Sequence, residues 1–195
     1  MTQLHETQRN ELITNAKQVI QDELSAIQSL TNRLNDQFVD ACQSILSCQG
    51  RVIIAGMGKS GHIGHKIAAT LASTGTPSFF VHPSEALHGD LGMITNQDIL
   101  IPISNSGSTD ELVTLCSVVK RQGTKLIAMT GKPDSLLAKL SDFHINIGVT
   151  KEACPHDLAP TSSTTATLVM GDALAVSLLK ARSFTPEDFA RSHPA

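Results

Sequence analysis

The chain has 195 residues, a net charge near −3 and 41% hydrophobic residues, enough for one domain with a substantial core plus flanking helices. The mild acidity and the absence of Trp and Tyr leave no electrostatic footprint and few stacking platforms for nucleic acid. No apolar run approaches the roughly 20 residues that span a bilayer, and Met1-Thr-Gln-Leu-His-Glu lacks the basic and apolar stretches of a signal peptide. Cys42, Cys48, Cys116 and Cys154 form no C-x-x-C pair and read as reduced thiols, so the expectation is a cytoplasmic protein without membrane contact.

In chain order, Leu12, Ala16, Val19, Ile20, Leu24, Ile27, Leu30, Leu34, Phe38, Ala41 and Ile45 recur at spacings of three and four. They predict an amphipathic helical region over 1–50, broken near Asn35-Asp36, that packs on a domain spanning 51–195. Strand-like apolar runs follow at 51–55, 78–82, 98–103, 125–129 and 143–149. Helical patterns alternate with them near 60–73, 84–88, 108–122, 134–139 and 163–181. This alternation predicts an α/β fold with a parallel sheet covered by helices on both faces. Ile99-Leu-Ile-Pro-Ile103 is continuously apolar, as a doubly covered strand requires, although Pro102 cannot donate to a ladder.

One arrangement occurs three times: a hydroxyl- and glycine-rich turn opening onto a helical segment. It appears at Gly56-Met-Gly-Lys-Ser-Gly61, at Ser104-Asn-Ser-Gly-Ser-Thr109 and within Ala159-Pro-Thr-Ser-Ser-Thr-Thr-Ala-Thr167. Helix starts carry unpaired N–H groups and partial positive charge, hydroxyls add donors, and glycine admits close approach, so three such turns point to a small phosphorylated ligand. The first two follow strands directly and lie at the carboxyl end of the sheet, where ligands bind. The third has no strand before it; it reads equally as an ordinary Ser/Thr loop or as a helix start facing the same crevice.

Both nucleotide readings of the first turn fail. The dinucleotide fingerprint needs an acid at the end of the second strand, which here ends Phe79-Phe-Val-His82, and a P-loop needs glycine where Ile53 stands. No spacing resembles a zinc site. Lys59 is either a solvated lysine or a cation beside the anion, and Glu111 either a first-turn acid favouring the helix dipole or a site residue. Glu152, in Lys151-Glu-Ala-Cys-Pro155, is either a solvated loop charge or a base facing the crevice. His88 lies within reach of the crevice, and His193 belongs to a tail segment.

These stretches, with His88-Gly-Asp-Leu-Gly-Met93, Leu158-Ala-Pro-Thr161 and Ser192-His-Pro194, resemble the sugar isomerase (SIS) domain of bacterial arabinose-5-phosphate isomerases from about residue 40 onward. The resemblance implies a three-layer sandwich around a five-stranded parallel sheet. It also implies a cofactor-free, metal-free conversion of D-ribulose 5-phosphate and D-arabinose 5-phosphate, feeding 3-deoxy-D-manno-octulosonate and lipopolysaccharide synthesis, in a homotetramer with active sites near subunit boundaries. By matching position, Ser60, Ser104, Asn105, Ser106 and Thr109 would hold the phosphate, and Thr161, Ser162, Ser163 and Thr164 would line the site. Lys59, Glu111, Glu152 and His193 would be active-site residues, with His88 a further candidate. Relatives of this type continue past Ser-His-Pro into a pair of CBS modules, which the sequence to Ala195 does not include.

Aldose–ketose isomerisation needs ring opening, a base at the carbon beside the carbonyl, and stabilisation of an enediolate. Glu152 is the expected carbon base, His193 or His88 the ring-opening and proton-shuttling group, and Lys59 the stabilising cation. An isomerase for another phosphosugar, and a non-catalytic sugar-phosphate sensor, are the rival readings; a sensor of this kind would carry a basic DNA-binding segment, and the amino-terminal helix is not basic.

Overall fold

The computed structural model describes residues 5–192. The amino-terminal pattern resolves into α1 (Glu6–Leu30) and α2 (Asp36–Leu46). The break falls where expected because Asn35 adopts extended geometry and its side chain accepts the Gln37 N–H at 3.0 Å, capping α2.

Five parallel strands follow: β1 (Val52–Gly56), β2 (Ser78–Val81), β3 (Ile99–Ser104), β4 (Lys125–Thr130) and β5 (Phe143–Asn146), in the order β2-β1-β3-β4-β5. Between and after them run α3 (Gly58–Ser73), α4 (Pro83–Leu87), α5 (Asp110–Arg121), α6 (Leu136–Leu140) and α7 (Ser162–Ala181). A last helix, α8 (Pro186–Ser192), was not expected. Thr185 and Asp188 exchange backbone and side-chain bonds at its start, a capping signature legible in Thr185-Pro-Glu-Asp188.

The strand period of two divides the core into two layers. Val52, Ile54, Ile99, Ile101, Ile103, Ile127 and Met129 point to the face covered by α2, α3 and α7. Ile53, Ala55, Leu100, Leu126 and Ala128 point to the face covered by α4, α5 and α6. Pro102 is accommodated because β3 pairs with β1 along its length, Ala55 opposite Pro102, whereas the β3–β4 ladder runs through Leu100 and resumes at Ile103. β5 stops at Asn146 rather than 149, since the Asn146 side chain accepts the Gly148 N–H at 2.9 Å and turns the chain.

α7 corrects one expectation. It is 20 residues long with mean hydropathy 1.2, long and apolar enough to cross a bilayer. Its apolarity serves the core: Ala166, Met170, Leu174, Ala175 and Leu178 are buried against the sheet layer. α3 and α7 run side by side in the same direction. Lys66 pairs with Asp172, Ile67 meets Gly171, and Gly75 beyond α3 meets Phe184 beyond α7. Because these contacts advance in step, the two helices start level with each other at the carboxyl edge of the sheet.

Candidate active site

β3 delivers Ser104, 4% exposed, to that edge. Its hydroxyl lies 2.9 Å from the Thr109 hydroxyl and 3.3 Å from that of Ser106, and accepts the Gly107 N–H at 3.1 Å. Gly107 has φ +65°, and a Cβ there would lie 2.1 Å from the Ser135 hydroxyl, so the turn requires glycine. Thr109 precedes α5 without a side-chain capping bond; its hydroxyl goes to Ser104. Three hydroxyls thus converge at the start of α5, where unpaired N–H groups favour an anion. Asn105 is exposed beside them, and Glu111 is half-buried in the first turn of α5.

At the first turn α3 begins at Gly58, two residues before the expected start, directly after β1. Met57 gives it no side-chain cap. Lys59 is exposed, Ser60 half-buried, and Lys59 forms no ion pair among the described residues. A hollow of about 180 Å³ beside this start is lined by Gly58, Gly61, His62, His65, Phe80 and His82, with His65 stacked on Phe80 at 3.8 Å.

Glu152 reaches the start of α7 from the preceding loop. Its Oε2 accepts the Thr161 N–H at 2.8 Å, the Thr161 hydroxyl at 3.1 Å and the Ser163 N–H at 3.1 Å. Partial burial pushes this carboxyl upward, but the bonds from Ser163 and Thr161 prevail and hold it below the ordinary carboxylate range. It is therefore ionised near neutrality. Its backbone N–H is fixed by Asp157 Oδ1 at 2.8 Å. Glu152 also borders a cavity of about 360 Å³ with Gln18, Asp22, Lys151, Cys154 and Asp157. In the third turn the Thr161 hydroxyl also accepts the Ala153 N–H, the Thr164 hydroxyl donates to the Thr161 carbonyl, and Ser162 and Ser163 are buried. The Ser162 hydroxyl has no hydrogen-bond partner among the described residues.

The starts of α3, α5 and α7, and with them Lys59, Ser60, Ser104–Thr109, Glu111, Glu152 and Thr161–Thr164, belong to the carboxyl edge of the sheet. His88 is exposed at the end of α4, the helix that follows β2 and packs against α5. His193 lies outside the described residues. No three His, Cys, Asp or Glu side chains converge on a metal-sized site among the described residues. Sequence reasoning missed the α1 contacts: Asp22 pairs with Lys151 at 2.8 Å, and Glu23 Oε2 accepts the Thr165 hydroxyl at 3.0 Å. No local signal marks them, since they join residues remote in sequence.

Residues 45–177 match the SIS domain family. The chain is 59% identical over 188 residues to Arabinose 5-phosphate isomerase KdsD of Pseudomonas aeruginosa PAO1, covering 96% of this chain and 58% of that protein. It is 62% identical over 178 residues to the Yersinia pestis protein of the same name, covering 91% and 54%. The chain thus spans little more than half the length of these curated relatives. Among solved structures, c3406 of Escherichia coli CFT073 in complex with arabinose 5-phosphate superimposes with a TM-score of 0.92 at 43% identity, covering 98% of this chain and 100% of that one.

Proposed function

The chain belongs to the SIS domain family, and we propose that it is an aldose–ketose isomerase interconverting D-ribulose 5-phosphate and D-arabinose 5-phosphate. What supports this reading is a hydroxyl cluster of Ser104, Ser106 and Thr109 at the start of α5 and a hydrogen-bonded Glu152 carboxylate at the start of α7, both following strands at the carboxyl edge of the sheet. The first suits a phosphate and the second a carbon acid. Relatives about 60% identical are named arabinose 5-phosphate isomerase, which supports arabinose 5-phosphate as one member of the pair.

In this proposal Ser60, Ser104, Asn105, Ser106 and Thr109 hold the phosphate, with Thr161–Thr164 bordering the site. That remote binding energy orients the reacting carbons. Glu152 takes the proton from C2 of the aldose and returns it to C1 of the resulting enediolate. Lys59 stabilises the negative charge, Glu111 completes the polar surround, and His193 or His88 assists ring opening and moves protons at the oxygens. No step needs a metal or cofactor. The product's place is in 3-deoxy-D-manno-octulosonate supply for lipopolysaccharide, in the cytoplasm.

A homotetramer belongs to the same proposal. Leu12, Ile13, Val19, Ile20 and Leu24 leave an apolar stripe exposed on α1, which a second copy would cover. Equilibrium sedimentation tests this, a stable monomer at micromolar concentration contradicting it. For the activity, the protein is incubated with ribulose 5-phosphate and with a panel of hexose and heptose phosphates. Preferential turnover of the pentose supports the reading, turnover of another sugar phosphate alone favours the rival isomerase, and binding without turnover favours the sensor.

A further inference from the structure

We infer that Asp22 and Glu23, adjacent on α1, are positioning residues for Glu152: together they fasten both ends of the 151–165 segment to one turn of a single helix. This rests on the reading of Glu152 as the carbon base. The Asp22 side chain is 12% exposed and pairs with Lys151, the residue before Glu152, at 2.8 Å; Gln18 Nε2 donates to the same Asp22 oxygen at 2.9 Å. One residue along the helix, Glu23 accepts the Thr165 hydroxyl at 3.0 Å, in the first turn of α7. Between these anchors, residues 155–160 are all exposed. α1 itself buries only Ala26 and Leu30, so its apolar grip lies toward its end, and the two carboxylates are its polar contacts with the segment.

The bonds that orient the Glu152 carboxylate all come from inside this segment, from Thr161 and Ser163. They persist only while the 151 end and the α7 start keep their spacing. α1 fixes that spacing from outside. Among the described residues, the charged and titratable groups that share Glu152's cavity are Lys151, Cys154 and Asp157 on its own loop and Asp22 on α1, and the start of α7 presents hydroxyls and N–H groups to it. Loosening the segment therefore removes donors from Glu152 and returns its titration toward that of an ordinary carboxyl.

The test is a carbon-13 NMR titration of the Glu152 carboxyl, assigned with Glu152→Gln, in wild type, in Asp22→Asn with Glu23→Ala combined, in Glu23→Gln and in the control Gln21→Ala. Turnover is measured alongside. In the double variant the lost donors move the midpoint up toward the ordinary value of 4.5, against the opposite and solvent-screened effect of removing the Asp22 charge, and kcat falls on the order of tenfold to a hundredfold, the cost of a misplaced reacting group, with KM little changed. Glu23→Gln, whose amide oxygen still accepts from Thr165, and Gln21→Ala keep the wild-type midpoint. Should the double variant fail to fold, Lys151→Met with Thr165→Val cuts the same ties from the other side. An unmoved midpoint and unchanged kcat in a folded double variant overturn the inference. If the isomerase reading itself is wrong, wild type shows no turnover while the midpoint shift still appears, so the two failures are distinguishable.

Discussion

Glu152 closes the amino end of α7 through Thr161, whose backbone N–H and hydroxyl both donate to the same carboxylate oxygen, at 2.8 and 3.1 Å. The carboxyl is thereby held below its ordinary value of 4.5 despite partial burial acting in the opposite sense. A depressed native pKa means the unfolded chain binds the proton first, so the stabilisation is complete above about pH 4.5 and is lost as pH falls through the native value. Acid unfolding followed by circular dichroism should show this loss in wild type. Glu152→Gln should be less stable at neutrality and flatter over that acidic window. Equal slopes in the two proteins would contradict the assigned hydrogen bonds.

The hydroxyl turn should bind phosphate. Ser104→Ala, Ser106→Ala and Thr109→Ala each remove a donor to a charged acceptor, worth about 1.5–3 kcal/mol. Calorimetry with arabinose 5-phosphate and with inorganic phosphate should show affinity reduced at least about tenfold for the best-placed of them. Wild-type affinity in all three would reduce the turn to a structural loop.

Gly171 sets how closely α3 and α7 approach. A Cβ there would lie 2.5 Å from two Ile67 side-chain carbons. Gly171→Ala should therefore destabilise the protein by about 1–3 kcal/mol through overpacking, and Ile67→Val in the same chain should recover part of the loss. Thermal unfolding of the three variants measures it, and an unchanged Tm in Gly171→Ala would refute the close contact.

Cys42, Cys116 and Cys154 should differ in reactivity. Burial pushes Cys116 up to about 12 and Cys42 to about 11. Backbone N–H groups of Ala159, His156 and Leu158 lower Cys154, against burial and the Asp157 charge. Thiolate is the reactive form, so brief iodoacetamide treatment followed by peptide mass spectrometry should find Cys154 modified before Cys42 and Cys116. The reverse order would show that the 154–159 loop does not hold this geometry.

Much of the fold was legible because burial on both sheet faces leaves a local trace. Ile99 to Ile103 reads as a covered strand in spite of Pro102, and Asn35 marked the break between α1 and α2. Helix starts were less legible: α3 begins inside its glycine turn at Gly58, where composition suggests a loop. The hydroxyl turn was readable, since Ser104, Ser106 and Thr109 lie within six residues and β3 leads directly into them. The surroundings of Glu152 were not. Its donors are 9 and 11 residues away across an irregular loop, and the Asp22 and Glu23 ties come from a helix far earlier in the chain. Hydrophobic periodicity records which face of α1 is apolar and says nothing of which polar residue meets which partner.

The most direct test of the proposed chemistry is solvent deuterium incorporation at C2 of arabinose 5-phosphate, followed by NMR. Glu152→Gln preserves the size of the side chain and an acceptor for the Thr161 and Ser163 N–H groups but cannot take up a proton. The proposal expects this variant to bind the sugar phosphate and to lose C2 exchange. His88→Ala and His193→Ala should retain slow exchange that rises with the supply of open-chain sugar. Near-normal exchange in Glu152→Gln, with exchange abolished in one histidine variant, would contradict the assignment and give the base role to that histidine.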